Sequence, residues 1–127
     1  MNDQRASGLK SYRDLLVWSA AVDLATRCYE ATASFPKSEV YGMTSQIRRA
    51  STSIPANIAE GYGRDGAGHF LQFLKVAQGS LKELETHLIV SARVGLLSEA
   101  AVGTLLGQCD EIGRMLGALI RSVQRRR

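Results

Sequence analysis

Four stretches of this chain carry apolar residues at alternating steps of three and four, the pattern of helix faces that pack against other helices. Residues 70–91 and residues 102–123 keep these steps without a miss. No stretch shows the period-two alternation of a half-buried strand. The sequence therefore predicts an all-α fold, an antiparallel up-down-up-down four-helix bundle with short connections.

The predicted helices span residues 13–33, 39–62 and 67–94, and a fourth begins after Ser98, whose hydroxyl is a candidate N-cap. We expect Gly61 and Gly63 to end the second helix in the left-handed conformation, and Gly95 to end the third. The core stripe predicted for the first helix is Leu15, Trp18, Val22, Ala25 and Tyr29. The stripe predicted for the second is Met43, Ile47, Ala50, Ile54 and Ile58.

Pro55 lies inside the second stripe and does not interrupt it. A proline there removes a hydrogen bond to the carbonyl of Ser51, and it costs about 3 kcal/mol in a helix interior. We predict a kinked helix held by a polar network, with Arg48 or Arg49 neutralising a carboxylate of that network, within the chain or across an interface. The network comprises Ser53, Pro55, Asn57, Glu60, Ser80, Glu83 and Glu85. The competing interpretation of these residues is a pocket for a small ligand.

The two small residues Gly79 and Ser80 are expected to let the second and third helices approach closely. More apolar residues are present than one bundle seam needs, which predicts self-association; the alternative is a monomer with a wide core. The surplus residues are Leu16, Leu24, Phe73, Val76, Ile89, Leu106 and Ile120.

At 127 residues and 13.8 kDa, the chain is expected to form one domain over residues 1–127, with residues 1–11 and 124–127 as tails. It has no apolar run of the roughly 18–20 residues that cross a bilayer and no secretory signal, so we expect a cytoplasmic protein without membrane contact. Cys28 and Cys109 are far apart in sequence and are predicted to be buried free thiols.

Catalytic and metal-binding patterns are weak. The near approach to the Glu-x-x-His motif of di-iron bundles is Glu83 with His87, a spacing of four. His69 and His87 lie about 27 Å apart on one helix, too far to share a nucleophilic triad. The glycine-rich residues 61–66 lack the lysine and hydroxyl residue of a phosphate-binding loop. We expect no enzyme activity, no metal and no cofactor.

The chain is basic, with a net charge of +4. A patch of arginines can bind phosphates of RNA or DNA without reading sequence, although charged tails also serve solubility alone. The candidate nucleic-acid-binding residues are Arg48, Arg49, Arg64, Arg121, Arg125, Arg126 and Arg127.

Four separated motifs carry a resemblance to a known family. They lie at residues 16–18, 35–42, 45–64 and 77–86. Over residues 12–123 the chain resembles the family of small bacterial four-helix-bundle proteins found in intervening sequences of large-subunit ribosomal RNA genes. The resemblance implies ring-like oligomers, commonly pentamers, and ribosomal RNA insertions suggest RNA contact.

More remotely, the chain resembles the accessory variability determinant of diversity-generating retroelements, a basic pentameric bundle that assists a reverse transcriptase by holding protein and RNA together. We therefore expect a non-enzymatic homopentamer that binds RNA or DNA electrostatically and assists a reverse transcriptase. The alternative is a protein-interaction scaffold, a ring that binds another polypeptide and no nucleic acid.

Overall fold

The computed structural model describes residues 11–126, and within them it contains four α-helices and no strand. The helices are α1 (Leu16–Thr32), α2 (Met43–Tyr62), α3 (Ala67–Arg93) and α4 (Glu99–Arg125). Short 3-10 turns at Tyr12–Asp14 and Lys37–Glu39 precede α1 and α2. The predicted all-α fold with four helices is confirmed.

The helices α3 and α4 form where the sequence predicts them. The predicted stripe residues of both helices are all buried. The Ser98 hydroxyl accepts the backbone N–H of Ala101 at 3.1 Å, so the predicted N-cap is present. Gly95, which follows α3, has a φ of +85°, a conformation that glycine adopts without steric cost. These two helices are thus determined largely by local sequence.

The stripe predicted for α1 is wrong in part. Leu15 and Ala25 are buried, but Trp18 and Val22 are only partly buried, and Tyr29 is 44% exposed. The α1 face that lies in the core also contains Val17, Ala21, Leu24, Cys28 and Thr32. Two adjacent stripes of α1 have the same spacing, and the stripe with the smaller residues faces the core. The Trp18 ring lies outside it and packs edge-on against the Tyr12 ring, with centroids 5.2 Å apart.

The helix α2 begins four residues later than predicted, because Lys37–Glu39 forms a 3-10 turn. The Glu39 carboxylate then accepts the backbone N–H of Met43 at 3.0 Å and satisfies a donor at the start of α2. The helix continues through Pro55 to Tyr62, as predicted.

The predicted left-handed ending of α2 is wrong. Gly61 lies inside the helix, and Gly63 has a φ of −79°; the left-handed residue in this turn is Gly66, with a φ of +87°. Gly61 is required for packing instead, because a Cβ there would lie 2.5 Å from the Cβ of Phe73 on α3. The sequence carries a signal for this role: Gly61 extends the stripe of Ile54 and Ile58 by a further step of three.

Each helix packs against two others. The helices α1 and α3 each contact both α2 and α4, and one continuous hydrophobic core draws on all four. Leu24 and Ile120, predicted as surplus surface, belong to this core. Phe73 and Leu106 are partly buried, whereas Leu16, Val76 and Ile89 are exposed, so only part of the predicted surplus lies on the surface.

Candidate nucleic-acid interface

Arg48 is engaged within the chain. Its Nε donates to the Thr32 hydroxyl at 2.9 Å, and a terminal nitrogen donates to the carbonyl oxygen of Tyr29 at 3.4 Å. The guanidinium also lies 4.4 Å from the centre of the Tyr29 ring. A cation at the last turn of α1 meets the carbonyl groups that have no partner within the helix, and the negative end of its dipole. Arg48 therefore joins the start of α2 to the end of α1.

Arg49 and Arg64 lie on the surface with partners on their own helix or turn. Arg49 is exposed and donates to the side-chain oxygen of Gln46. Arg64 lies 2.8 Å from the Glu60 carboxylate, and both side chains are about half exposed. The Arg64 guanidinium is also 5.3 Å from the centre of the Phe73 ring. Exposed ion pairs of this kind contribute about 0–1 kcal/mol.

The predicted neutralisation of Glu60 or Glu85 by Arg48 or Arg49 does not occur within the chain. Glu60 pairs with Arg64, and Glu85 pairs with Lys82 at 3.3 Å. Both pairs lie within their own stretch of helix, because residues three or four apart on one helix face are already close.

Three residues of the predicted polar network, Ser53, Asn57 and Ser80, lie together near Pro55. The Ser53 and Ser80 hydroxyl oxygens are 2.8 Å apart, and this contact joins α2 to α3. The Asn57 amide donates to the carbonyl oxygen of Ser53 at 2.8 Å and to its hydroxyl at 3.0 Å. These bonds lie near the proline. They reach the carbonyl of Ser53, however, and not the carbonyl of Ser51, which loses its helical partner to Pro55.

The glutamates of the predicted network lie apart from these three residues. Glu83 faces His87 on its own helix, with 3.3 Å between carboxylate and ring nitrogen. Gly79 is exposed, and a Cβ there would meet no atom within 4 Å, so its expected role in close helix approach is wrong. Gly61 has that role.

The arginines of α4 are placed differently from Arg48. Arg121 and Arg125 are exposed in the last turns of the helix, and the exposed Arg126 is its C-cap residue. The Arg121 guanidinium extends back along α4, so that it would lie 3.2 Å from a Cβ at Gly117. Arg127, the last predicted candidate, lies outside the described residues. Arg114, also exposed and on the same helix, was not among the predicted residues.

A groove with charged side chains on both walls lies between α3 and α4. Its central pocket has a volume of about 290 Å³. The residues that line it are Gln78, Leu81, Lys82, Glu85, Cys109, Asp110, Gly113 and Arg114. Sequence reasoning missed Lys82 and Arg114 as candidate ligands, although each follows directly after a residue that lies between the two helices, Leu81 and Gly113.

An apolar groove lies between α1 and α2, with a volume of about 360 Å³. Its lining is Val22, Ala25, Thr26, Tyr29, Thr52 and Pro55. Both threonine hydroxyls donate to carbonyl groups of their own helices, Thr26 to Val22 at 2.9 Å and Thr52 to Arg48 at 2.8 Å. The groove therefore presents mainly carbon atoms to a ligand.

The two cysteines are free and buried, as predicted. Burial raises the pKa of Cys28 to about 12, against a smaller opposing effect of a hydrogen bond with Ser51. Burial, with the nearby Glu85 carboxylate, raises the pKa of Cys109 to about 12. Both thiols are protonated at neutral pH and are poor nucleophiles.

Residues 11–126 contain neither a metal-binding cluster nor a helix that could span a membrane. No three His, Cys, Asp or Glu residues of this part of the chain cluster in a way that could hold a metal ion. None of its helices is both long enough and apolar enough to cross a membrane.

Comparison with known proteins identifies the fold and the family. The family model described as 23S rRNA-intervening sequence protein matches residues 13–118. The chain belongs to this family. It is also similar to a crystal structure of a protein with unknown function from the S23 ribosomal protein family of Bacteroides thetaiotaomicron, with a TM-score of 0.75. The two are 24% identical, and the match covers 83% of this chain and 98% of the other. No curated protein matches the chain.

The match to the 23S rRNA-intervening sequence protein family covers the four helices unevenly. Residues 13–118 include both interhelical grooves, with Lys82 and Arg114. The exposed arginines at the end of α4 lie beyond the matched region. The basic end of α4 is thus a feature of this chain outside the matched family region.

Proposed function

We propose that this protein is a non-enzymatic accessory protein of the cytoplasm that binds RNA or DNA through the phosphate backbone. The observation that carries the proposal is the set of exposed guanidinium groups on α4. Arg114, Arg121 and Arg125 are exposed, and within residues 11–126 no carboxylate forms an ion pair with them. Arginines of this kind contact phosphates without reading base sequence.

We infer that the helices run antiparallel, with a bend at Pro55. Contacts between Arg48 and Thr32, between the rings of Tyr62 and Phe70, and at Gly113 beside Leu81 support this order. In an antiparallel bundle, the turn that contains Arg64 lies at the same end as the last turns of α4. Because Arg64 is paired with Glu60, the positive charge at that end comes mainly from α4.

The protein assembles, in this proposal, into a homopentameric ring that assists a reverse transcriptase on RNA. Exposed apolar side chains support self-association: Leu16 is 69% exposed, Val94 is 64% exposed and Tyr41 is 94% exposed. Large exposed apolar residues are typical of surfaces that contact other proteins. A ring would repeat the α4 arginines in every subunit, so that several weak phosphate contacts act together.

Binding of labelled nucleic acid across salt concentrations tests the proposal. We expect similar affinities for unrelated sequences and, on duplex DNA, a logarithmic salt slope of at least about −3, because each phosphate contact contributes about −0.9. Replacing Arg121, Arg125 and Arg126 with serine should flatten the slope.

A matched control is the triple serine variant of Arg27, Lys37 and Arg93, three exposed cations whose replacement removes the same charge. It should keep most of the slope. Absence of binding by the unmodified protein at low salt would contradict the proposal.

The second candidate function is a protein scaffold that binds no nucleic acid, and Tyr41 favours it. This residue is 94% exposed beside the Glu39 carboxylate that caps α2, so an aromatic ring is presented from an ordered loop. Aromatic residues often dominate protein interfaces. Light scattering separates the oligomer from a monomer of 13.8 kDa. An oligomer whose size changes with Tyr41→Ser, in a protein that binds no nucleic acid, would favour the scaffold.

A further inference from the structure

We propose that the groove between α3 and α4 holds the phosphodiester backbone of a single nucleic-acid strand, with its central pocket occupied by one phosphate. This inference rests on the proposed function and assigns it a location. The pocket contributes Arg114, Lys82 and the Gln78 amide, none of which was a predicted site residue.

The donors in the pocket are available. Within the described part of the chain, the side chains of Arg114 and Gln78 make no hydrogen bond to another residue. Lys82 is 71% exposed and meets only the Glu85 carboxylate, at 3.3 Å. A guanidinium, an ammonium and an amide line a space of about 290 Å³, large enough for a phosphate group, and all three are donors that phosphate oxygens accept.

Further cations extend from the pocket along both helices, in the same direction if α3 and α4 run antiparallel as inferred above. Lys75 precedes Lys82 by seven residues and therefore lies on the same stripe of α3, and it is exposed. On α4, Arg121 follows Arg114 by seven residues and Arg125 follows Arg121 by four. At 1.5 Å per residue, these α4 positions are separated by about 10 and 6 Å along the helix and follow one face of it.

Two carboxylates also line the pocket. Glu85 is paired with Lys82, whereas Asp110 lies one helical turn before Arg114 and has no ion-pair partner in residues 11–126. A phosphate in the pocket would be repelled by Asp110. The proposal therefore predicts effects of opposite sign at two neighbouring positions, which a purely structural pocket would not produce.

Four single variants of the full-length protein test the location, with fluorescein-labelled single-stranded RNA in 50 mM salt as the probe. Arg114→Gln should weaken binding roughly eightfold and reduce the salt slope by about 0.7, the value of one contact to a single strand. Its control is Arg93→Gln, an exposed arginine in the last turn of α3, which should change affinity less than about twofold.

Asp110→Asn should strengthen binding about twofold or more, because it removes a charge close to the phosphate. Its control is Glu111→Gln, the adjacent exposed residue, with the same change in net charge and a smaller expected gain.

Three outcomes are distinct. A larger effect of each groove variant than of its control supports the inference. Equal effects of Arg114→Gln and Arg93→Gln, and of Asp110→Asn and Glu111→Gln, in a protein that still binds RNA would overturn the groove location and leave the proposed function intact. An unmodified protein that binds no RNA at low salt would overturn both.

Discussion

The α1–α2 pair and the α3–α4 pair of this bundle each carry an arginine beside a groove, but the two arginines have different roles. Between α1 and α2, Arg48 is committed to Thr32 and to the ring of Tyr29, and the neighbouring groove is apolar. Between α3 and α4, Arg114 lines a groove with charged side chains on both walls. Its guanidinium makes no hydrogen bond or ion pair with another described residue. The presence of an arginine in a sequence thus says little about its availability, which depends on the helix ends and rings around it.

The buried thiols are a property that the two helix pairs share, one on α1 and one on α4. Because the pKa of each is raised from 9.0 to about 12 in the folded protein, the unfolded chain loses these protons first as pH rises. Their contribution to stability is complete below pH 9 and is lost between pH 9 and pH 12. We expect about 3 kcal/mol less stability at pH 10 from the two together, at about 1.4 kcal/mol each.

Urea denaturation at pH 8 and pH 10 measures this loss. The Cys28→Ala, Cys109→Ala double variant is the control, since other groups also titrate in this range. An equal loss of stability in the double variant would show that the thiols do not cause it.

The glycines of α2 and α3 should respond in opposite directions to the same substitution. Gly61→Ala should destabilise the fold by about 1–3 kcal/mol, because the added carbon would overlap Phe73. Gly79→Ala should stabilise it by up to about 1 kcal/mol, because the position is open and alanine is the better helix former. Thermal or urea unfolding midpoints of both variants, compared with the unmodified protein, measure these opposite changes in stability. A neutral Gly61→Ala would mean that the two helices are not in close contact there.

Arg48 and Arg114 should separate into a stability residue and a binding residue. Arg48→Met removes a charged hydrogen bond and the ring contact, and we expect a loss of about 1–2 kcal/mol in unfolding free energy. Arg114→Met should change it by less than about 0.5 kcal/mol, as is usual for surface positions. Urea midpoints and RNA affinity should be measured on the same two proteins. Equal destabilisation by both would remove the distinction between the helix pairs.

Within the polar network, the smallest contrast is between Asn57 and Glu85. Asn57→Ala should cost about 1–2 kcal/mol, because it leaves Ser53 with fewer partners beside Pro55. Glu85→Ala should cost less than about 1 kcal/mol, since its partner Lys82 is mostly exposed. The sequence alone predicts that both residues belong to the network and does not distinguish them. Indistinguishable denaturation curves for the two variants would show that Asn57 and Glu85 contribute equally to stability.

How far the sequence predicts this structure differs between the helices. In α3 and α4 the apolar spacing identifies one face only, and the caps at Ser98 and Gly95 depend on local backbone chemistry. In α1 the spacing fits two adjacent faces, and the choice depends on what α2 and α4 can accommodate.

The candidate site shows the same limit. The sequence predicts that the α4 arginines are exposed, because they lie off the apolar stripe of that helix. It does not predict the bond of Arg48 to Thr32, because that bond depends on how α1 and α2 pack. The groove that joins Lys82 to Arg114 has no signature within either helix, because it exists only where α3 and α4 pack together.

The central claim is that the arginines of α4, and not Arg48, contact phosphate. Nitrogen-15 NMR of arginine side chains during titration with single-stranded RNA tests it most directly, because each Nε–H group gives its own signal. We expect the signals of Arg114, Arg121 and Arg125 to shift, and to return as salt is added. The Arg48 signal should stay unchanged, held by Thr32. A shift of Arg48 with unchanged α4 arginines would contradict the account.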